Sequence, residues 1–446
     1  MTRTQAQPID IRFVSGLSGY FHKDLQAVKS SPEYNPLIDN ISPVTPGFDN
    51  VVQAGEVISI LIRLPNGAVA VGDCADVIFS GAASRDPLFI PAEHLPFLEN
   101  VVRPWLLKRD VSEFRPNAIE VEAPWHALGN KRLHTAVRYG LTQALLSATA
   151  LVWHCTISEV ISREWMVDIS TRPIGLLASC HRNDNLQLDR MIMKQVALLP
   201  HASFVHVNDI GPKGQTMLDY VHSVSERVQE RGSPDYQPKL HFDVYGTIGD
   251  AFAIDEIPAF LQLVERAAHP YDVLIESPIV AETKEAQLQC LRQLRKSLLA
   301  RNSRVRIVAD EWCNTLQDIR EFAEADAVDF VQAKMPDLGS LHNSIDAVIY
   351  CRERNIGCCL GGSANETDTS ARITSQIALA TQPDFILSKP GIGADEGVMI
   401  LTNEMLRTLA LVENFDCASE KKMSINGSET LPDDVQLQPN RNGIRL

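Results

Sequence analysis

The apolar positions of the chain change period near its middle. Residues 9 to 21 and 51 to 63 are strand-like and β-branched, separated by the proline- and glycine-rich SPVTPGFDN; GAVAVGDC predicts a further strand before the polar loop FSGAASRDP. From Leu133 to Val152 an alanine- and leucine-rich pattern without proline predicts a helix. Beyond Pro173, short apolar runs near 174–178, 191–196, 240–244, 273–276, 306–310, 329–334, 356–360 and 385–389 alternate with helical stretches such as AFLQLVERAA and HNSIDAVIYCRERN. Eight strands with helices between them fit an α/β fold, a TIM-type (β/α) barrel; a doubly wound sheet is the rival. The predicted organisation is an α+β domain over 1–165, the barrel over 166–412 and a polar extension over 413–446.

Three of the barrel runs close on an acid: LHFDVYG on Asp243, VLIESP on Glu276 and RIVADEWCNT on Asp310, at steps of 33 and 34 residues. That step is the size of a βα unit, so parallel neighbours would bring the three carboxylates to one rim. The next run, DFVQAK, adds Gln332 and Lys334, the lysine 24 residues after Asp310. A single strand-end acid can equally cap a helix or pair with an arginine. Regular spacing followed by a lysine argues for a shared site, and buried carboxylates need a compensating cation. Oxygen ligands favour Mg²⁺ first and Mn²⁺ second, whereas zinc is disfavoured because no histidine or cysteine occupies these strand ends in a ligand-like pattern.

Such a metal suits a carboxylate substrate that loses a neighbouring C–H proton. Lys334 is then either a base, if nearby positive charge lowers its pKa, or an ion-pair partner. His201, in ALLPHASFVHVND after the second predicted barrel strand, is either a base on the opposite face or a core histidine. The glycines of GGSANETD (361–368) permit close backbone approach to an anion, with Asn365 orienting the loop. Lys389, in SKPGIGADEG, is either a buried ion-pair lysine or a source of positive charge.

With 56 acidic against 41 basic residues the net charge is −15, which disfavours nucleic acid and anionic membranes as partners. No apolar run reaches membrane-spanning length, and the start MTRTQAQPIDIRFVSG lacks a signal-like apolar core, so cytoplasmic residence is expected. The nine scattered cysteines form no zinc or redox pair and read as reduced thiols.

At these residues the chain resembles the methylaspartate ammonia-lyases, a family of the enolase superfamily. The runs that carry the resemblance are GDCADV, SGAASRDPLF, HTAVRYGL, LPHA, HFDVYGTIG, IVADEWCNT with QDI, MPDLGSLHN, GGSANETD, and KPGIGADEG with NEM, over about residues 1–412. The resemblance implies a barrel with an N-terminal capping domain, a homodimer, and Mg²⁺-dependent loss of ammonia from L-threo-3-methylaspartate to give mesaconate. It implies Asp243, Glu276 and Asp310 as metal ligands, Lys334 as the base at C3, His201 as base or acid on the opposite face, and Gln332 as a substrate-carboxylate contact. Two departures bear on the substrate. Ser179, in LLASCHRND, falls where the family has a glutamine, and Ser363 and Ala364 replace the Thr-Cys of GGTCNET. A serine cannot reproduce both amide contacts. Shifted specificity is therefore expected before lost catalysis, and the alternative is another lyase, dehydratase or epimerase of the superfamily acting on a related amino or hydroxy carboxylate.

Overall fold

The computed structural model describes residues 6–31 and 41–424. Strands β1 (Asp10–Lys23), β2 (Val52–Arg63) and β3 (Val69–Cys74) form an antiparallel sheet with β2 in the centre. Along β2 the alternation buries Ile58, Ile60 and Ile62, as a half-covered strand requires. Helix α1 (Thr135–Trp153) lies against this sheet, its N-terminus capped by His134. The approach is close because glycine meets glycine: a Cβ on Gly72 would sit 2.3 Å from both Ala144 N and Gly140 O, and one on Gly140 would sit 2.4 Å from Cys74 N. Gly72→Ala is expected to cost about 1–3 kcal/mol through forced separation of sheet and helix. A chemical-denaturation midpoint equal to wild type would refute that account.

Eight parallel strands close the barrel: β4 (Leu176–Leu177), β5 (Leu198–Ser203), β6 (Lys239–Asp243), β7 (Val273–Glu276), β8 (Arg306–Ala309), β9 (Phe330–Lys334), β10 (Gly357–Gly361) and β11 (Phe385–Leu387). Period-2 alternation sorts their side chains. Leu240 and Phe242, Val273 and Ile275, Ile307 and Ala309, and Val331 and Ala333 join the main core with the surrounding helices. The intervening positions Leu274, Val308 and Cys359 join Leu177, Leu198, Phe385 and Leu387 in a separate apolar cluster inside the barrel. Two residues further along the same faces stand Glu276, Asp310 and Gly361, so the inner cluster is the floor beneath the acids.

The second barrel strand corrects the sequence reading. Residues 191–196 lie mostly in the helix Asn185–Met193 and its C-terminal turn, because Leu188, Met191 and Ile192 are buried at helical spacing. The strand starts at Leu198, and His201 lies within it rather than after it. Pro200, which would break a regular strand, is accommodated by a register shift between Pro200 and Ala202 that sets His201 out of register at φ 40°.

Helix α2 (Asp368–Thr381) follows β10, and helix α3 (Glu396–Ser424) follows β11 and runs across the expected boundary at 412. The part of the expected polar extension from 425 to 446 lies outside the described residues. Among the described residues no single helix is long and apolar enough to cross a membrane.

Candidate functional site

Strand register places the acids. Asp243 stands opposite Glu276 across β6 and β7, and Lys334 opposite Gly361 across β9 and β10, all at the C-terminal ends. Asp310 is the first residue beyond β8 and, like Asp243 and Glu276, is buried. Lys334 Nζ donates to Asp310 Oδ2 at 2.5 Å, and Arg85, from the loop FSGAASRDP, reaches the same oxygen at 3.3 Å while its Nε donates to Asp337 Oδ2 at 2.8 Å. Gln332 Nε2 donates to Glu276 at 3.1 Å. The lysine is thus an ion-pair partner in this arrangement, the second of its two sequence readings.

The charges are unevenly compensated. Burial, then Glu311 and Asp310, drive the Asp243 carboxyl well above its usual range; burial, then Asp243 and Asp310, do the same to Glu276. Asp310 goes the other way: burial opposes its ionisation, but Lys334 and Arg85 together outweigh it. For Lys334 burial favours the neutral amine, yet Asp310 prevails and raises its pKa.

His201 and His241 complete the floor. Their Nδ1 atoms are 3.1 Å apart, and His241 Nε2 lies 3.3 Å from Glu276 Oε2. Burial, then Lys334, pushes His201 down to about 4, and burial, then His201, pushes His241 well below its ordinary value, so both rings are neutral. Ligand atoms of His201, His241 and Glu276 fall within 4.8 Å of one another, a group able to hold a divalent cation. This group shares only Glu276 with the three expected acids, and it corrects the premise that no histidine reaches these strand ends. His241 was legible in LHFD, two positions before Asp243 and hence on the same strand face.

A cation fits here on an independent observation. Among the described residues Gln332 Oε1 and Glu311 Oε1 are buried without a hydrogen-bond partner, both beside or behind the acids. Buried lone pairs of this kind are costly unless something positive meets them.

The floor opens into a cavity of about 490 Å³ roofed by the N-terminal sheet. Ser179, Ser363 and Ala364 all line it, as do His201, Asp243, Glu276, Gln332 and Lys334, whereas Asp310 stands behind, held by Lys334 and Arg85. Ser179 bridges to Gly393. Ser363 N donates to Glu366 Oε2 at 2.7 Å and its hydroxyl accepts from Asn365 N at 3.2 Å. Asn365 ties this loop to the cap, accepting from Ser18 Oγ at 3.0 Å, in keeping with an orienting role. Lys389 is settled as a buried ion-pair lysine, 2.8 Å from Glu366, which also accepts a bond from Tyr139. Sequence reading missed Arg85, Glu311 and the cap residues Tyr20 and Lys23 on the cavity wall. Only Glu311, adjacent to Asp310, left a sequence signal.

Comparison with known proteins agrees with this architecture from residue 6 to residue 414. The family pattern for the methylaspartate ammonia-lyase N-terminus matches residues 6–166, and that for the C-terminus matches 168–414. Methylaspartate ammonia-lyase 1 of Carboxydothermus hydrogenoformans is 42% identical over 416 residues, 93% of this chain and 99% of that protein. The structure of the Citrobacter amalonaticus methylaspartate ammonia lyase containing (2S,3S)-3-methylaspartic acid superposes with a TM-score of 0.86 at 42% identity, covering 91% of this chain and 100% of that one. The Mg complex of β-methylaspartase from Clostridium tetanomorphum gives 0.84 at 39%, over 92% and 99%. With both halves matched and the barrel closed beneath its cap, the chain belongs to the methylaspartate ammonia-lyase family of the enolase superfamily, a family of carbon–nitrogen lyases.

Proposed function

We propose that this chain eliminates ammonia from L-threo-3-methylaspartate to give mesaconate in a divalent-metal-dependent reaction. The observation that carries the reading is that Lys334 and His201 line one cavity whose floor is a set of under-compensated strand-end acids. Asp243, Glu276 and Asp310 would hold Mg²⁺, with Mn²⁺ as a substitute. A cation held by these acids would compensate their charge and supply Lewis-acid polarisation of a substrate carboxylate.

The chain's own groups do the rest. Lys334, once parted from Asp310, gives up its own proton to solvent, as its burial then favours; the neutral amine takes the C3 proton, and the electron pair forms the C2–C3 double bond as the C2–N bond breaks and ammonia leaves. His201, neutral through burial, faces the same cavity and serves the opposite face. Gln332, fixed on Glu276, contacts a substrate carboxylate, while Ser179, Ser363 and Ala364 orient the amino dicarboxylate. Arg85, on the cap loop that lines the cavity, holds Asp310 and Asp337, and that loop helps to exclude water. The reading includes a cap over 1–165, a barrel over 166–412, an extension over 413–446, a homodimer and cytoplasmic residence; the family patterns over 6–166 and 168–414 support the division into cap and barrel.

Chelation tests it. Stripping divalent cations is expected to lower mesaconate formation about 10²-fold or more, since a catalytic metal supplies several kcal/mol of charge stabilisation. Mg²⁺ should restore it, and Asp243→Asn should raise the Mg²⁺ concentration required. Undiminished turnover after exhaustive chelation would overturn the proposal.

A further inference from the structure

The cavity wall contributed by the cap carries a cation that, among the described residues, no carboxylate pairs with. Lys23 closes β1, its backbone N–H bonding Ile78 O at 2.9 Å, and its ammonium lies 5.2 Å from the centroid of the Tyr20 ring. Among the described residues it has no acidic partner, and burial depresses its pKa. Tyr20 OH in turn lies 3.4 Å from His181 Nε2, on the loop after β4 that also carries Ser179. The three side chains therefore join cap and barrel around one basic corner of the cavity. The neighbouring Arg182 is spent on Asp209 at 2.6 Å.

The groups assigned to substrate orientation supply little positive charge. Gln332 points its amide at Glu276, the Ser363 hydroxyl is engaged by Asn365, Ala364 has no polar atom, and Ser179 offers one hydroxyl. A dicarboxylate whose first carboxylate is held over the strand-end acids still has a second to place. A partly buried, unpaired ammonium is costly unless a ligand pairs with it, and a cation–π contact offsets only part of that cost.

We infer that Lys23, seated on Tyr20 and flanked by His181, is the specificity-determining anchor for the substrate's second carboxylate. In this chain it takes the share of recognition that Ser179 is too short to carry. The inference rests on the reading of the site as an amino dicarboxylate lyase.

The test uses the Mg²⁺-loaded full chain and two readouts. In Lys23→Met, mesaconate binding by calorimetry and the KM for methylaspartate are both expected to weaken about 10- to 100-fold, the range for one charge-assisted hydrogen bond. The kcat should stay within a few-fold, and Lys23→Arg should recover most of the affinity. A mesaconate analogue with its second carboxylate converted to an amide should bind wild type and Lys23→Met alike. Wild-type mesaconate affinity in Lys23→Met would overturn the inference. If no variant, wild type included, turns over methylaspartate, the proposed reaction fails, and the calorimetric arm still decides the role of Lys23.

Discussion

Lys334→Met is expected to lower kcat for mesaconate formation by about 10²- to 10⁴-fold, the span that a positioned general base contributes. The more discriminating result concerns the metal. Lys334 now spends its ammonium on Asp310 at 2.5 Å, in competition with any cation that the acids bind. Removing it leaves Asp310 with Arg85 alone, at 3.3 Å, so Mg²⁺ affinity should be unchanged or tighter while catalysis collapses. A purely structural lysine would give the opposite pattern, with both folding and metal binding damaged. Exchange of the C3 proton of the L-threo isomer with solvent deuterium separates the step from ammonia release. Exchange at the wild-type rate would remove Lys334 from the base role.

The parts of this site that were legible from sequence are those that strand geometry dictates. Acids ending apolar runs at the length of a βα unit are brought to one C-terminal rim when the strands are parallel neighbours, and Asp243 and Glu276 are indeed register partners. The same rule would have given His241, since alternation puts it under Asp243. His201 was misplaced because the apolar run 191–196, the buried face and turn of a helix, read as the strand, while the true strand, bulged at Pro200, begins at Leu198. The second partner of Asp310 was not legible at all. Arg85 reaches it across 225 residues of sequence, and Lys23 reaches the cavity only because the cap sheet folds over the barrel mouth. Contacts of that range depend on domain docking, which carries no periodic signature.

The loop after β10 supports the second large prediction. Gly361 and Gly362 are required by crowding: a Cβ would lie 1.9 Å from Gln332 Oε1 at the first and 2.0 Å from Glu366 Oε2 at the second. That crowding presses the loop onto the fully buried pair of Glu366 and Lys389, which also receives Tyr139 and the Ser363 backbone. Breaking a buried pair from one side strands the other charge, so Glu366→Gln is expected to cost about 3–5 kcal/mol and to lower Tm by several degrees. Lys389 is already pushed toward the neutral amine by burial, with Glu366 opposing, and loss of the carboxylate leaves that burial unopposed. Adding Lys389→Met should recover most of the stability, because the glutamine can still accept from Tyr139 and Ser363 while no charge remains buried. A double variant no more stable than Glu366→Gln would show that the pair is not what holds the loop. The catalytic readout follows from position. Ser363 and Ala364 ride on this loop, so the single variant should raise KM for methylaspartate more than it lowers kcat, and the double variant should return KM toward wild type.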